Sequence, residues 1–112
     1  MALPESIGQF EHVVLAAVLA LADDAYGVTI HDKVEEFIKP RSASLGAVYA
    51  TLDRLEAKGL VTSRLGPGTS VRGGRPKRHY AIQPEGVRAL NDAKAAIDRL
   101  WAGLRGPLKG TL

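Results

Sequence analysis

Between Arg41 and Ile82 the chain sets eight Lys or Arg side chains against two acids, a net of +6. The bases are Arg41, Arg54, Lys58, Arg64, Arg72, Arg75, Lys77 and Arg78, and the acids are Asp53 and Glu56. Cations grouped this closely neutralise a polyanion, and four of them crowd the end of one segment, GPGTSVRGGRPKR. The asymmetry runs through the whole chain: residues 1–40 carry a net of −5 and residues 41–112 a net of +8. Such a division predicts one face for a polyanion and another for the core or a partner.

Other chemistries have little to work with. His12, His31 and His79 fall on different predicted elements, there is no cysteine, and no Gly-rich phosphate loop opens a helix. An enzyme is therefore not expected, nor a cofactor. His31 and Glu35 stand one turn apart and read as an exposed helix pair rather than a metal site. His79 reads as a phosphate contact or a surface residue. His12, near the start of an apolar helix, either faces a dimer channel and titrates near neutral pH or is partly exposed without a role. Without cysteine, neither disulfides nor a cysteine-ligated zinc can hold the fold. The apolar run Val13 to Ala22 is ten residues, about half of a membrane span. Glu5 and Glu11 precede it where a signal peptide would be basic. The expectation is a cytoplasmic protein of one domain, since 112 residues support a modest core but not two.

The elements that must position the bases can be read from spacing. Ile7 to Ala22 is predicted helical and apolar nearly all round from Val13, which places it in a core or in a core plus a dimer interface. Asp23-Asp24 breaks it, with Asp24 a candidate cap. Tyr26, Ile30, Val34, Phe37 and Ile38 then recur at helical spacing until Lys39-Pro40 ends the second helix. A third helix is predicted from an N-cap at Ser44 to Lys58, closed by Gly59. Leu45, Val48, Leu52 and Leu55 form its buried stripe, while Gly46, Ala47, Ala50, Thr51 and Arg54 form a small-residue face that could enter a major groove or pack on protein.

Leu60 to Leu65 and His79 to Gln83 are predicted as antiparallel strands. The basic loop between them is too long for a tight hairpin and too polar to be buried, and so reads as a wing. Its Gly-Arg-Pro also matches the centre of an AT-hook, a minor-groove arm. Pro84 suits the first turn of a last helix. There Val87, Leu90, Lys94, Ile97, Trp101, Leu104 and Leu108 make a seam in steps of three and four. From Pro84 to Arg105 that helix would be roughly 33 Å long, more than a small winged domain covers, and a homodimer is the simplest answer. The fold class predicted is mainly α with a small β-hairpin: a winged helix-turn-helix over residues 1–83 and a C-terminal dimerisation helix and tail over residues 84–112.

With the residues in view, the chain resembles the PadR family of bacterial transcriptional regulators over nearly all its length. The matching pieces are DDAYG at Asp23 to Gly27, SLGAVYATLDRLEAKGLV at Ser44 to Val61, GGRPKRHYAI at Gly73 to Ile82 and QPEG at Gln83 to Gly86. It is similar to the short subgroup, which has a single C-terminal helix. The resemblance implies a homodimer on a near-palindromic operator, generally a repressor released by a small molecule or changed conditions. Some short members hold flat aromatic drugs between subunits against a Trp of the last helix. Ile97 falls nearest that position here, and Trp101 lies one turn further on.

The expected DNA contacts are Ser44, Ala47, Tyr49, Ala50, Thr51, Arg54, Arg72, Arg75, Lys77 and Arg78. Of these, Arg75 is the candidate for a minor groove, and Lys77 and Arg78 are candidates for phosphates. The expected dimer interface and effector pocket takes His12, Val14, Leu90, Ile97, Trp101 and Leu104. The competing reading is a winged-helix protein-interaction module with no DNA role, for which a +6 surface has no use.

Overall fold

The computed structural model describes residues 7–66 and 77–104. Helix α1 spans Gln9–Leu21, α2 Gly27–Ile38, α3 Leu45–Ala57 and α4 Pro84–Ala102; strands β1 and β2 span Val61–Leu65 and Arg78–Ile82. The order three helices, hairpin, helix is that of a winged helix-turn-helix followed by one extra helix.

The core lies where the first three helices meet. Val14, Leu15, Ala17 and Val18 of α1, Ile30 and Val34 of α2, and Val48, Leu52 and Leu55 of α3 are almost wholly shielded from solvent. Val61 and Tyr80 close it from the hairpin. Burying a side chain of this size contributes about 1.5–3 kcal/mol, so these few contacts dominate the packing.

Local chemistry sets the boundaries. Ser44 Oγ accepts the Ala47 N–H at 3.0 Å and starts α3. At its other end Gly59 has φ +78°, the Gly59 N–H donates to Glu56 O at 3.0 Å, and the Leu60 N–H donates to Leu55 O at 2.9 Å. That pair of bonds is a Schellman close, and its positive φ favours glycine. Helix α2 departs from expectation: its N-cap is Tyr26, whose N–H donates to Thr29 Oγ1 at 3.0 Å. Asp24 contributes its backbone carbonyl, which accepts from the Thr29 hydroxyl at 2.5 Å, instead of a capping carboxylate.

Strands β1 and β2 pair antiparallel from Val61↔Ile82 to Leu65↔Arg78. The hairpin is fastened to the helices by the bridge Tyr26↔His79 and by the Tyr80 N–H donating to Ala25 O at 2.8 Å. Pro84 occupies the first turn of α4. Gly86 is buried there because Leu60 O and the Ile82 side chain occupy the space of any Cβ.

Two predicted core positions lie at the surface. Leu45 is 39% and Phe37 48% exposed, because each sits at a helix end beyond the helix crossing. Beyond Leu90, α4 stands clear of its own chain: Ile97, Leu100 and Trp101 are exposed, as is Leu104, which lies past the helix because α4 ends at Ala102 rather than running to Arg105. Trp101 is therefore not core within one chain. Lys94, the one polar member of the seam, pairs its exposed ammonium with Asp98 at 2.7 Å. Among the described residues no helix is long and apolar enough to cross a membrane.

Candidate nucleic-acid interface

Helix α3 presents an outer ridge of small side chains. Gly46, Ala47 and Ala50 are exposed, with Ser44 at the helix start and Tyr49 beside them, while Val48, Leu52 and Leu55 on the opposite side are fully buried. A helix held from behind and smooth in front can approach another surface to backbone distance. Tyr49 lies over the start of α2: its ring and hydroxyl rest against Gly27 where a Cβ would stand. This explains the glycine in the DDAYG turn.

Thr51 corrects an expectation. It is 1% exposed, and its hydroxyl accepts from Arg54 Nη2 at 2.9 Å. Lying one position past the outer ridge, it turns inward and braces Arg54 instead of standing on the exposed face. Arg54 keeps an exposed side chain, and its Nε comes within 3.7 Å of Glu11 Oε2 on α1.

Glu11 is a buried carboxylate that the sequence reading left without a role. Its oxygens accept from Lys58 Nζ at 2.9 and 3.0 Å, and Oε1 accepts the Gly8 N–H at 2.8 Å. Burial alone would raise its pKa. The Gly8 N–H, the Lys58 hydrogen bonds and the charges of Lys58 and Arg54 outweigh this and hold it below the ordinary carboxylate value. One signal was available: a Glu three residues after a helix start often turns back to a free N–H.

His31 and Glu35 form another unexpected arrangement. Both side chains clasp Ala43, just before the α3 cap: His31 Nε2 is 2.8 Å from Ala43 O, and Glu35 Oε2 accepts the Ala43 N–H at 2.9 Å. With Nε2 protonated the imidazole donates to that carbonyl. The pair therefore secures the turn that aims α3.

On the wing side, Arg78 Nη1 donates to Ser63 Oγ at 3.1 Å, and that hydroxyl donates to Glu56 Oε2 of α3 at 2.8 Å. Lys77 Nζ stands 4.2 Å above the Tyr26 ring, whose other neighbour is the His79 imidazole at 5.6 Å between centroids. His79 is thus half-buried packing more than a free surface group. Arg72 and Arg75 lie outside the described residues.

The residues expected to line a dimer channel divide. Val14 is fully buried in the protein's own core and cannot face a partner or ligand; the apolar run of α1 points it toward α2 and α3. His12 and Leu90 are half-buried, whereas Ile97, Trp101 and Leu104 are 49%, 55% and 39% exposed. No group of three metal-ligating side chains occurs among the described residues.

Comparison with known proteins agrees with this architecture. A PadR-family transcription regulator from Clostridium difficile R20291 is 24% identical, with a TM-score of 0.69 over 85% of this chain and 93% of that one. A PadR-family regulator from Eggerthella lenta DSM 2243 is 25% identical, with a TM-score of 0.64 over 81% of this chain and 75% of that one. Bacillus subtilis PadR, solved in complex with operator DNA, is 20% identical, with a TM-score of 0.63 over 75% of this chain and 46% of that one. No curated protein sequence matches the chain. The family described as transcriptional regulator PadR-like matches residues 14–92, so this winged helix-turn-helix chain belongs to the PadR-like family of transcriptional regulators and is not an enzyme.

Proposed function

We propose that the protein is a sequence-specific DNA-binding repressor, acting in the cytoplasm as a homodimer on a near-palindromic operator. The observation that carries this is the exposed ridge Gly46, Ala47, Ala50 on a helix whose other side is locked in the core. A major groove accepts one α-helix of that profile. Ser44, Ala47, Tyr49, Ala50 and Arg54 are assigned to base edges and the adjoining backbone. Lys77 and Arg78 are assigned to phosphates together with Arg72, and Arg75 to a minor groove. Residues 1–83 then serve as the DNA-binding unit, and residues 84–112 supply the dimerisation helix and tail.

The dimer reading draws on the uncovered apolar face of α4, with Leu19 of α1 exposed at 48%. Two-fold symmetry sets two copies of α3 on one face of the duplex, so half-site centres should lie about one turn, or about 10–10.5 bp, apart or a multiple of it. Selecting duplexes from a random-sequence pool tests this directly: an enriched inverted repeat with that spacing is expected. An asymmetric single site, or no enrichment at all, contradicts the proposal.

A flat aromatic effector between the subunits is the accompanying reading, resting on Trp101 and Ile97 being uncovered on one helix face. To release DNA the ligand must favour a dimer whose α3 helices are wrongly spaced. The emission of Trp101 and the operator affinity should both change on adding such a compound; no change in either removes this reading.

A further inference from the structure

Arg54 is the one base on the outer side of α3 that the protein engages from two directions. Its Nη2 is committed to Thr51 Oγ1 at 2.9 Å, and its Nε faces Glu11 Oε2 at 3.7 Å. The Glu11 carboxylate is itself anchored, since Lys58 Nζ and the Gly8 N–H donate hydrogen bonds to it. Only about a tenth of its side chain is exposed, against 57% for Arg54. The Thr51 hydrogen bond and the nearby Glu11 charge bias the guanidinium plane toward one setting before any ligand arrives. Reading a base edge needs such a preset plane, whereas attraction to phosphate needs only the charge.

We propose that Glu11 is a specificity-determining positioning residue, which orients Arg54 for base discrimination from the neighbouring helix. This rests on the reading of Arg54 as a DNA contact. The effect on affinity and the effect on specificity have opposite signs. Removing the Glu11 charge leaves Arg54 and Lys58 as unopposed cations beside the duplex, so binding to arbitrary DNA holds or strengthens. The freed guanidinium no longer meets one base in one geometry, so discrimination falls.

The test compares a duplex enriched from a random-sequence pool by the unmodified protein with a scrambled duplex of equal length. If the unmodified protein enriches nothing, the DNA reading fails first and takes this inference with it. Given an enriched duplex, Glu11→Gln should lower the preference for it by about tenfold, the lower range for one good base contact. Affinity for the scrambled duplex should be unchanged or higher. On an Arg54→Ala background the same Glu11→Gln change should leave the preference unaltered, because the group through which it acts is absent. A merely structural role would lower the preference by the same factor with or without the Arg54 side chain, and that result overturns the proposal, as does a Glu11→Gln variant with full preference. Glu11→Asp guards against a Glu11→Gln variant that does not fold. It keeps the charge but draws the carboxylate back from Arg54, so the preference should fall while affinity for the scrambled duplex holds; full preference in this variant refutes the proposal.

Discussion

The His31 imidazole and the Ala43 carbonyl oxygen stand 2.8 Å apart, joining the middle of α2 to the turn before α3. Glu35, one helical turn further along, takes the Ala43 N–H at 2.9 Å. Both backbone groups of one turn residue are thus held by neighbouring side chains of α2. The direction in which α3 projects is set by this clasp as well as by the core beneath it.

The clasp should make stability depend on pH. The hydrogen bond to Ala43 O and that to Asp32 raise the His31 pKa against the effect of burial, and the charges of Glu35 and Asp32 add to the rise. A raised folded-state pKa means that the folded protein binds the proton more tightly than the unfolded chain. Its contribution is fully present below the ordinary imidazole value and lost as pH rises through the raised one. The melting-temperature gap between the unmodified protein and His31→Ala should therefore narrow from about pH 5 to about pH 8, the range of histidine titration. A gap independent of pH would show that the imidazole acts there without its charge.

Gly86 offers a test of how α4 is joined. A Cβ at this position would collide with Leu60 O and come within 2.7 Å of Ile82 Cγ1. The carbonyl belongs to backbone that cannot yield cheaply, since Leu60 O also accepts the Gln83 N–H at 2.9 Å. Gly86→Ala should destabilise by about 1–3 kcal/mol, as overpacking does, and shift the urea midpoint accordingly. An unchanged midpoint would mean that α4 is free to slide on the hairpin.

Much of this architecture was legible because it is local. Ser44 before an apolar stripe, Gly59 after it and Pro84 at a helix start are signals read within a few residues, and each proved to be a terminus. The functional surface was legible only in part. Thr51 was assigned to the outer face by helical spacing, yet at the edge of a stripe a small shift in angle buries it. Val14 was placed in an interface because α1 is apolar on several sides, and spacing does not tell which side meets its own chain. Glu11, His31 and Glu35 were missed for a different reason. Their partners Lys58, Arg54 and Ala43 are remote in sequence, and only the packing of helix on helix brings them together.

Lys77 and Arg78 should contribute differently although they are adjacent. Lys77 rests on the Tyr26 ring by charge and dispersion, while Arg78 is bonded through Ser63 to Glu56 of α3. Lys77→Ala should weaken binding to all duplexes alike and lower the salt slope by about one unit, the signature of one lost phosphate contact. Arg78→Ala should do the same and also loosen the tie between wing and α3, lowering the melting temperature. Should either change alter which duplex is selected while the salt slope stays intact, the assignment of these two residues to phosphates fails.

The uncovered face of α4 yields the last expectation. Ile97, Leu100 and Trp101 in the last turns of α4, and Leu104 just past its end, expose apolar surface beyond the reach of the core, and a second copy of the chain is the cover proposed for it. Trp101 is the single tryptophan in the chain, so its emission reports this face alone. In a dimer the indole is shielded and emits at shorter wavelength; dilution through the dissociation range should shift emission to longer wavelength in step with the loss of mass seen by sedimentation. Leu104→Asp places a charge on the face and should give the long-wavelength emission at every concentration, because an unpaired carboxylate strongly opposes burial. DNA binding by that variant should drop to the level of a single half-site while its helical content is kept. If the unmodified chain sediments as a monomer at tens of micromolar and its emission does not move on dilution, the dimer assigned to α1 and α4 is wrong.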